Sequence, residues 1–333
     1  MELKEWYSSP QKNKIEKRML VSLSSNISEE IKHVLEAQIF PSKRIRSYIL
    51  NLLCGDILTQ DEFYKISTAI EMFHQATLIF DDVLDDTDIR DGNRISLHNR
   101  LGNNRLKDNN SNTGKAYHLA IVLMILAEKE LIENGDIEIV SEFNIMRTKM
   151  FKAQLADVFF IEKPSNSSYL NWLINESYKK TSSFMEFPFF VYAKSINSSA
   201  EETNKLRELG KSIGILYQIG DDLFDMDEGV KKGTLALTYP LSYFLDNLTF
   251  LEKNEKSFIE KVLEEKYLNE NNSKKITSLY KKHKEIIAKS SKEYFEKYFK
   301  IIENSNISKD IKKEIVNLLG KVINPSYWRY EEV

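Results

Sequence analysis

The sequence predicts an all-α fold, and three observations predict it. Gly and Pro are scarce, at 11 and 6 of 333 residues. Apolar residues recur at helical spacing between short polar breaks. No convincing alternating strand and no short internal repeat is present. Sparse punctuation suits long helices better than many short strands.

The breaks are Asn103–Gly114, Pro164–Ser168, Asn197–Ser199, Asn269–Ser273 and Asn304–Ser308. Between them, Ile66, Ile70, Phe73, Thr77, Phe80 and Leu84 make one stripe. Leu206, Leu209, Ile213, Leu216, Gly220 and Leu223 make another. The Asn-rich stretch Asn103–Lys115 reads as a surface loop without chemistry. Residues 274–303 interleave lysines with Ile, Tyr and Phe, as a solvated amphipathic helix does. No break resembles a domain linker, so residues 1–333 read as a single helical domain with a motif-bearing core over about 41–240.

A hydrophobic fraction of 42% supplies a sizeable core. The net charge of -3 gives no general drive toward nucleic acid or an anionic membrane, so an anionic substrate needs local cations or metals. Cys54 is the sole cysteine. No intrachain disulfide can form, which suits a reducing cytoplasm. The most apolar run, Leu119 to Ala127, is too short to cross a bilayer. The start, Met1-Glu-Leu-Lys-Glu, lacks the basic and apolar segments of a secretory signal.

Two aspartate clusters carry the chemistry. One is Asp81-Asp82-Val83-Leu84-Asp85, followed by Asp86 and Asp88; the other is Asp221-Asp222-Leu223-Phe224-Asp225, followed by Asp227. On a helix, positions four apart share a face, so Asp81 projects with Asp85 and Asp221 with Asp225. Crowded carboxylates repel, and a helix C-terminus worsens the conflict. A hard divalent cation removes it, and Mg²⁺ prefers carboxylate oxygens with water and phosphate. One D-D-x-x-D alone reads as a solvated helix end. Both clusters, however, follow strongly apolar runs, 76–80 and 213–219, where so much charge is costly unless it is used. Two such groups facing each other across a bundle would build a metal site.

Cations suited to diphosphate accompany them. Lys43-Arg44-Ile45-Arg46 opens an apolar helix after Pro41, and His74 lies two turns before Asp81 on its face. Arg90 follows the first cluster, and Lys180-Thr181 offers one cation and one hydroxyl within a helix. Gln218 sits one turn before Asp221, and Gln154 and Asp157 form a polar pair on an otherwise apolar helix.

In this order and spacing the residues resemble the trans-isoprenyl diphosphate synthases, the polyprenyl synthetase family, from about Pro41 to Pro240. Lys43-Arg44-Ile45-Arg46 is similar to the family's G-K-R-x-R-P, and Glu71 to Asp85 to its first aspartate-rich motif. Gln154-Leu-Ala-Asp157 is similar to G-Q-x-x-D, Lys180-Thr181 to K-T, and Tyr217 to Asp225 to F-Q-x-x-D-D-x-x-D. The resemblance implies an isoprenoid synthase-type helical bundle around a central cavity, usually a homodimer. It implies Mg²⁺ held by Asp81, Asp85 and Asp221, with Asp82, Asp222 and Asp225 in support. Arg90, Lys180, Thr181 and Gln218 would contact an allylic diphosphate, and Lys43, Arg46 and His74 would contact isopentenyl diphosphate. Small residues at Ala76 and Thr77 imply a cavity open at that level, with Phe73 as candidate floor and products of about twenty carbons or more.

The chain also departs from the family. Pro41-Ser42 replaces paired glycines, Ser47 a proline, Phe80 a common histidine and Asp91 the second of two arginines. The loop from Asp225 to Pro240 is shorter by about nine residues, with Lys231 and Lys232 as candidates for its phosphate-binding lysines. These changes fall mainly on the second-substrate site. Three readings follow: a divergent chain-elongating synthase, favoured because Lys43, Arg46 and His74 remain; a same-fold terpene synthase or prenyltransferase with another acceptor, such as a peptide tryptophan; and a non-catalytic partner subunit, against which two intact aspartate clusters argue.

Overall fold

The computed structural model describes residues 1–40, 42–85, 89–90, 94–103, 109–159, 167–230 and 233–323. The chain divides into two compact units, Met1–Ser141 and Glu142–Val333.

The first unit contains α1 (Leu3–Trp6), α2 (Pro10–Ser24), α3 (Glu29–Ile39), α4 (Ile45–Cys54) and α5 (Gln60–Leu84). A small hairpin, β1 (Ile89–Arg90) and β2 (Arg94–Ile95), precedes α6 (Leu97–Asn103) and α7 (Asn109–Asn134). Local signals start these helices. Ser9 accepts the Lys12 N–H and Pro10 takes the first turn of α2. Thr59 and Glu62 close a capping box on α5. The α5 stripe then buries Ile66, Ile70, Phe73, Ala76 and Ile79 completely. The helix packs along α7, with α2 and α4 on its other sides. The stripe leaves the core at its C-terminal end: Phe80 is half-buried beside the Tyr117 ring, at 5.6 Å, and Leu84 is exposed.

α8 (Ile137–Phe159) carries the chain into the second unit. There follow α9 (Tyr169–Trp172), a π turn at Leu173–Ser177, α10 (Lys179–Ser195) and α11 (Ala200–Glu228). Then come β3 (Gly233–Thr234), α12 (Tyr239–Asp246), a 3-10 turn at Leu248–Phe250, α13 (Lys253–Glu265), β4 (Tyr267–Leu268), α14 (Glu270–Glu303) and α15 (Lys309–Leu319). Ser199, Asn269 and Ser308 cap α11, α14 and α15 with their side chains. The predicted α11 stripe is buried throughout, from Leu206 to Leu223. α10 and α11 pack closely, because Gly214 leaves no side chain between them: a Cβ there would lie 2.5 Å from Ser182 Cα.

The fold is all-α, as the sequence predicts. Two expected breaks are narrower than expected. Among the described residues, α6 runs to Asn103 and α7 begins at Asn109, so the helix takes up half of the supposed loop. Asn is a weak helix former inside a helix but is tolerated in a first turn, and the buried Ala116, Ala120 and Leu123 anchor the rest of α7 on α5. Likewise Asn269 is a cap, not the start of a loop. Among the described residues, four strands of two residues each appear where none was expected. β3 pairs antiparallel with β4, Gly233 opposite Leu268.

Candidate functional site

In the first unit the C-terminal half of α5 presents one open face. His74, Thr77 and Asp81 are half-buried on it, and Asp85 is exposed. Asp82, rotated by one residue, is completely buried, with Gln38 Nε2 3.4 Å from its Oδ2. α5 ends inside the cluster: Asp85 is its C-cap, at φ -89° and ψ 1°. Phe73 and Ala76 are buried and Thr77 turns its hydroxyl onto the His74 carbonyl, at 2.8 Å. The Arg90 backbone lies in β1, but its side chain is outside the described residues, as are Pro41, Asp86, Asp88 and Asp91.

The basic turn before α4 divides its three cations. Lys43 is exposed and Arg46 half-buried, while Arg44 between them is only 1% exposed. Arg44 adopts a left-handed backbone, φ 55°, which costs a non-glycine residue about 1–2 kcal/mol. Its side chain supplies the compensation. Nε donates to Glu16 at 3.2 Å, Nη2 to the Ile39 carbonyl at 3.1 Å, and Nη1 lies 3.7 Å from Glu71. Trp6, itself buried, donates its indole N–H to the Lys43 carbonyl at 3.1 Å. Glu71 also accepts from the Ser47 N–H at 3.1 Å and its hydroxyl at 2.8 Å. That explains Ser47 in place of the family proline, which has no N–H to give.

In the second unit α11 repeats the pattern. Gln218 and Asp221 are half-buried, Asp225 is exposed, and Asp222 is turned into the core. Asp222 meets three protein donors. Tyr178 Oη donates to Oδ2 at 2.6 Å, the Tyr239 N–H to the same oxygen at 2.7 Å, and Gln218 Nε2 to Oδ1 at 3.0 Å. Burial raises the Asp222 carboxyl to about 6, even against the lowering effect of these three bonds and of the Lys180 charge. Burial, then the Asp222 charge, raises the Tyr178 phenol well above its ordinary value, so it remains a donor at neutral pH. Thr181 donates to Gln218 Oε1 at 2.7 Å, and Lys180 to Asp157 at 2.6 Å. The sequence motifs holding Gln154-Asp157 and Lys180-Thr181 thus meet through Asp157 and Lys180.

The segment after the cluster is tied at both ends. Asp227 accepts from Lys284 at 2.6 Å and Tyr280 at 3.3 Å, and Gly229 turns the chain at φ 115°. The Val230 N–H reaches Thr277 at 3.0 Å, and the Leu235 N–H reaches the Lys266 carbonyl at 3.0 Å. Lys231 and Lys232 lie outside the described residues. Sequence reasoning missed Tyr178, whose only signal was an aromatic two residues before Lys180. It could not have found Tyr239, which contributes to Asp222 through the main chain.

The donor chemistry fits Mg²⁺. Each cluster offers carboxylate oxygens, the donor type of a hard divalent cation, although among the described residues no three of His, Cys, Asp or Glu gather closely enough to hold a metal ion by themselves. Mg²⁺ uses one or two carboxylates completed by phosphate and water rather than a closed protein cage.

Helices bearing paired aspartate clusters, with cations beside them, define the isoprenoid synthase class. The chain belongs to the polyprenyl synthetase family, which residues 28–283 match. It is 29% identical to a short chain isoprenyl diphosphate synthase of Methanothermobacter thermautotrophicus, over 48% of this chain and 47% of that one. It is 26% identical to the enzyme of the same description from Methanocaldococcus jannaschii, over 60% of this chain and 58% of that one. The chain therefore spans about half the length of these relatives. The fold superimposes on a geranylgeranyl pyrophosphate synthase from Lactobacillus brevis with a TM-score of 0.73 at 17% identity, covering 93% of this chain and 96% of that one. It superimposes on a Caulobacter crescentus polyprenyl synthase complexed with calcium and isoprenyl diphosphate, with a TM-score of 0.72 at 16% identity and 93% coverage of both chains.

Proposed function

We propose that this chain is a Mg²⁺-dependent prenyltransferase that condenses an allylic diphosphate with isopentenyl diphosphate into a longer trans-prenyl diphosphate. The observation that carries the reading is the repeated arrangement on α5 and α11: a half-buried aspartate, a buried one and an exposed one, each on the end of a core helix. Asp81, Asp85 and Asp221 hold Mg²⁺, and Asp82, Asp222 and Asp225 support them. Calcium in the Caulobacter relative is a hard cation of the same kind. Bound Mg²⁺ supplies positive charge to the departing diphosphate. Lys180, Thr181, Gln218 and Arg90 hold and orient the allylic diphosphate. The Lys180–Asp157 and Thr181–Gln218 bonds give the first three a fixed starting geometry. Lys43, Arg46 and His74 bind isopentenyl diphosphate, with Lys43 and Arg46 held apart by the buried Arg44. The allylic cation requires an apolar, water-free surrounding.

The working form is a homodimer. α7 exposes Ile121, Ile125 and Ile132 at 47%, 61% and 61%, an apolar stripe suited to a second copy. No helix among the described residues is long and apolar enough to cross a membrane. The sole cysteine, Cys54, supports a reducing cytoplasm as the compartment of the reaction.

Product analysis with geranyl, farnesyl and geranylgeranyl diphosphate, each with and without isopentenyl diphosphate, tests the reading. Longer prenyl diphosphates should form only when isopentenyl diphosphate and Mg²⁺ are both present. Metal-dependent diphosphate release without elongation would replace this function with transfer to another acceptor or cyclisation.

A further inference from the structure

We infer that Tyr178 is a positioning residue for the second aspartate cluster: its hydroxyl orients Asp222, and through Asp222 it holds Asp221 and the start of α12 in the arrangement that receives Mg²⁺ and diphosphate. The inference rests on the function proposed above.

Tyr178 is held on every side. Its N–H closes the π turn on the Leu173 carbonyl at 2.8 Å, and its own carbonyl accepts the N–H groups of Thr181 and Ser182, at 3.1 and 2.8 Å, to begin α10. The ring is only 1% exposed. π turns insert an extra residue into a helix and are frequent at functional sites. Here the turn sits directly before Tyr178, Lys180 and Thr181.

The hydroxyl has a specific target. At 2.6 Å its bond to Asp222 Oδ2 is in the short range of charge-assisted hydrogen bonds. The same oxygen accepts the Tyr239 N–H, so one atom joins the start of α10, the body of α11 and the first residue of α12. A second path leads from Thr181 through Gln218 to Asp222 Oδ1. Tyr178 and Thr181 therefore converge on one buried carboxylate by separate routes. That carboxylate is the sequence neighbour of Asp221, and an error in its setting rotates Asp221 with it. A phenylalanine would fill the same space, so the hydroxyl is what the site adds.

Outer partners of metal ligands typically change metal affinity by about 10–100-fold when removed. Calorimetric titration of Mg²⁺ in the presence of inorganic diphosphate reads this directly, without turnover. Tyr178→Phe should raise the Mg²⁺ midpoint about tenfold, with the melting temperature of the ligand-free protein within about 4 °C of wild type. Tyr48→Phe removes a hydroxyl bonded to the Met1 carbonyl at 3.3 Å in the first unit and should leave the midpoint in place. In an Asp222→Ala background, which removes the acceptor itself, Tyr178→Phe should add nothing further. An unchanged midpoint in Tyr178→Phe overturns the inference, as does an equal shift in Tyr48→Phe or a full additive shift in the Asp222→Ala background. A wild-type chain that binds no Mg²⁺ with diphosphate would instead remove the proposed function, and the inference with it.

Discussion

A buried charged side chain braces the more open ones beside it in each unit, and two of these braces, Arg44 in the first and Asp222 in the second, are built differently. In the first, Arg44 separates Lys43 from Arg46 and is neutralised by carboxylates, Glu16 and Glu71. In the second, Asp222 follows Asp221 and is satisfied by neutral donors, a phenol, an amide and a peptide N–H. An opposite charge stabilises a buried ion by attraction but leaves a second buried ion behind when removed. Neutral donors leave the desolvation cost visible, and the Asp222 carboxyl sits up at about 6. The Arg44 brace shapes a backbone turn. The Asp222 brace fixes the rotation of a helix face and can be loosened one hydrogen bond at a time.

The sharpest test lies in the half-buried aspartates, Asp81 beside the buried Asp82 in the first unit and Asp221 beside the buried Asp222 in the second. Asp81→Ala and Asp221→Ala should each lower turnover by about two to three orders of magnitude, as losses of preorganised charge stabilisation do. Circular dichroism should show both variants still helical. Near-normal turnover of either in Mg²⁺ would remove that cluster from the metal site.

Next in size is the ionic brace. Arg44→Met leaves Glu71 buried without its cation and should destabilise the protein by about 3–5 kcal/mol, read by chemical denaturation. The double variant Arg44→Met/Glu71→Gln should recover part of that loss. If the single variant is as stable as wild type, Arg44 is not a brace and the contrast with Asp222 disappears.

The smallest effect belongs to Ser47. Ser47→Pro restores the family residue but deletes two hydrogen bonds to Glu71. A loss of about 1–2 kcal/mol is expected. A gain in stability would mean that Glu71 serves Arg44 alone.

Much of this was legible in the chain. Although the inward turn of Asp82 and Asp222 comes from the packing, Asp81 and Asp85, like Asp221 and Asp225, stand four apart and so fall toward a common helix face wherever the helix packs. The same holds for His74 above Asp81 and for the stripes that bury α5 and α11. The basic turn was legible as a cluster of three cations but not as two open ones around a buried one. Nothing local distinguishes Arg44 from Arg46. The difference comes from Glu16 and Glu71, 28 and 27 positions away. The Asn-rich stretch misled in the other direction, because packing of α7 on α5 extended a helix into residues that propensity alone would leave out.

The sequence by itself therefore determined the helical class, the family, and which aspartates stand on a common face, because a helix turns by a fixed angle per residue whatever surrounds it. The tertiary structure alone decided which charges are buried and who satisfies them. Tyr178 and Asp222 are 44 residues apart, and Tyr239 reaches the same oxygen with a peptide N–H that every residue but proline carries. A donor with no identity of its own leaves no mark in a sequence, and only the packing of α10, α11 and α12 brings it to its acceptor.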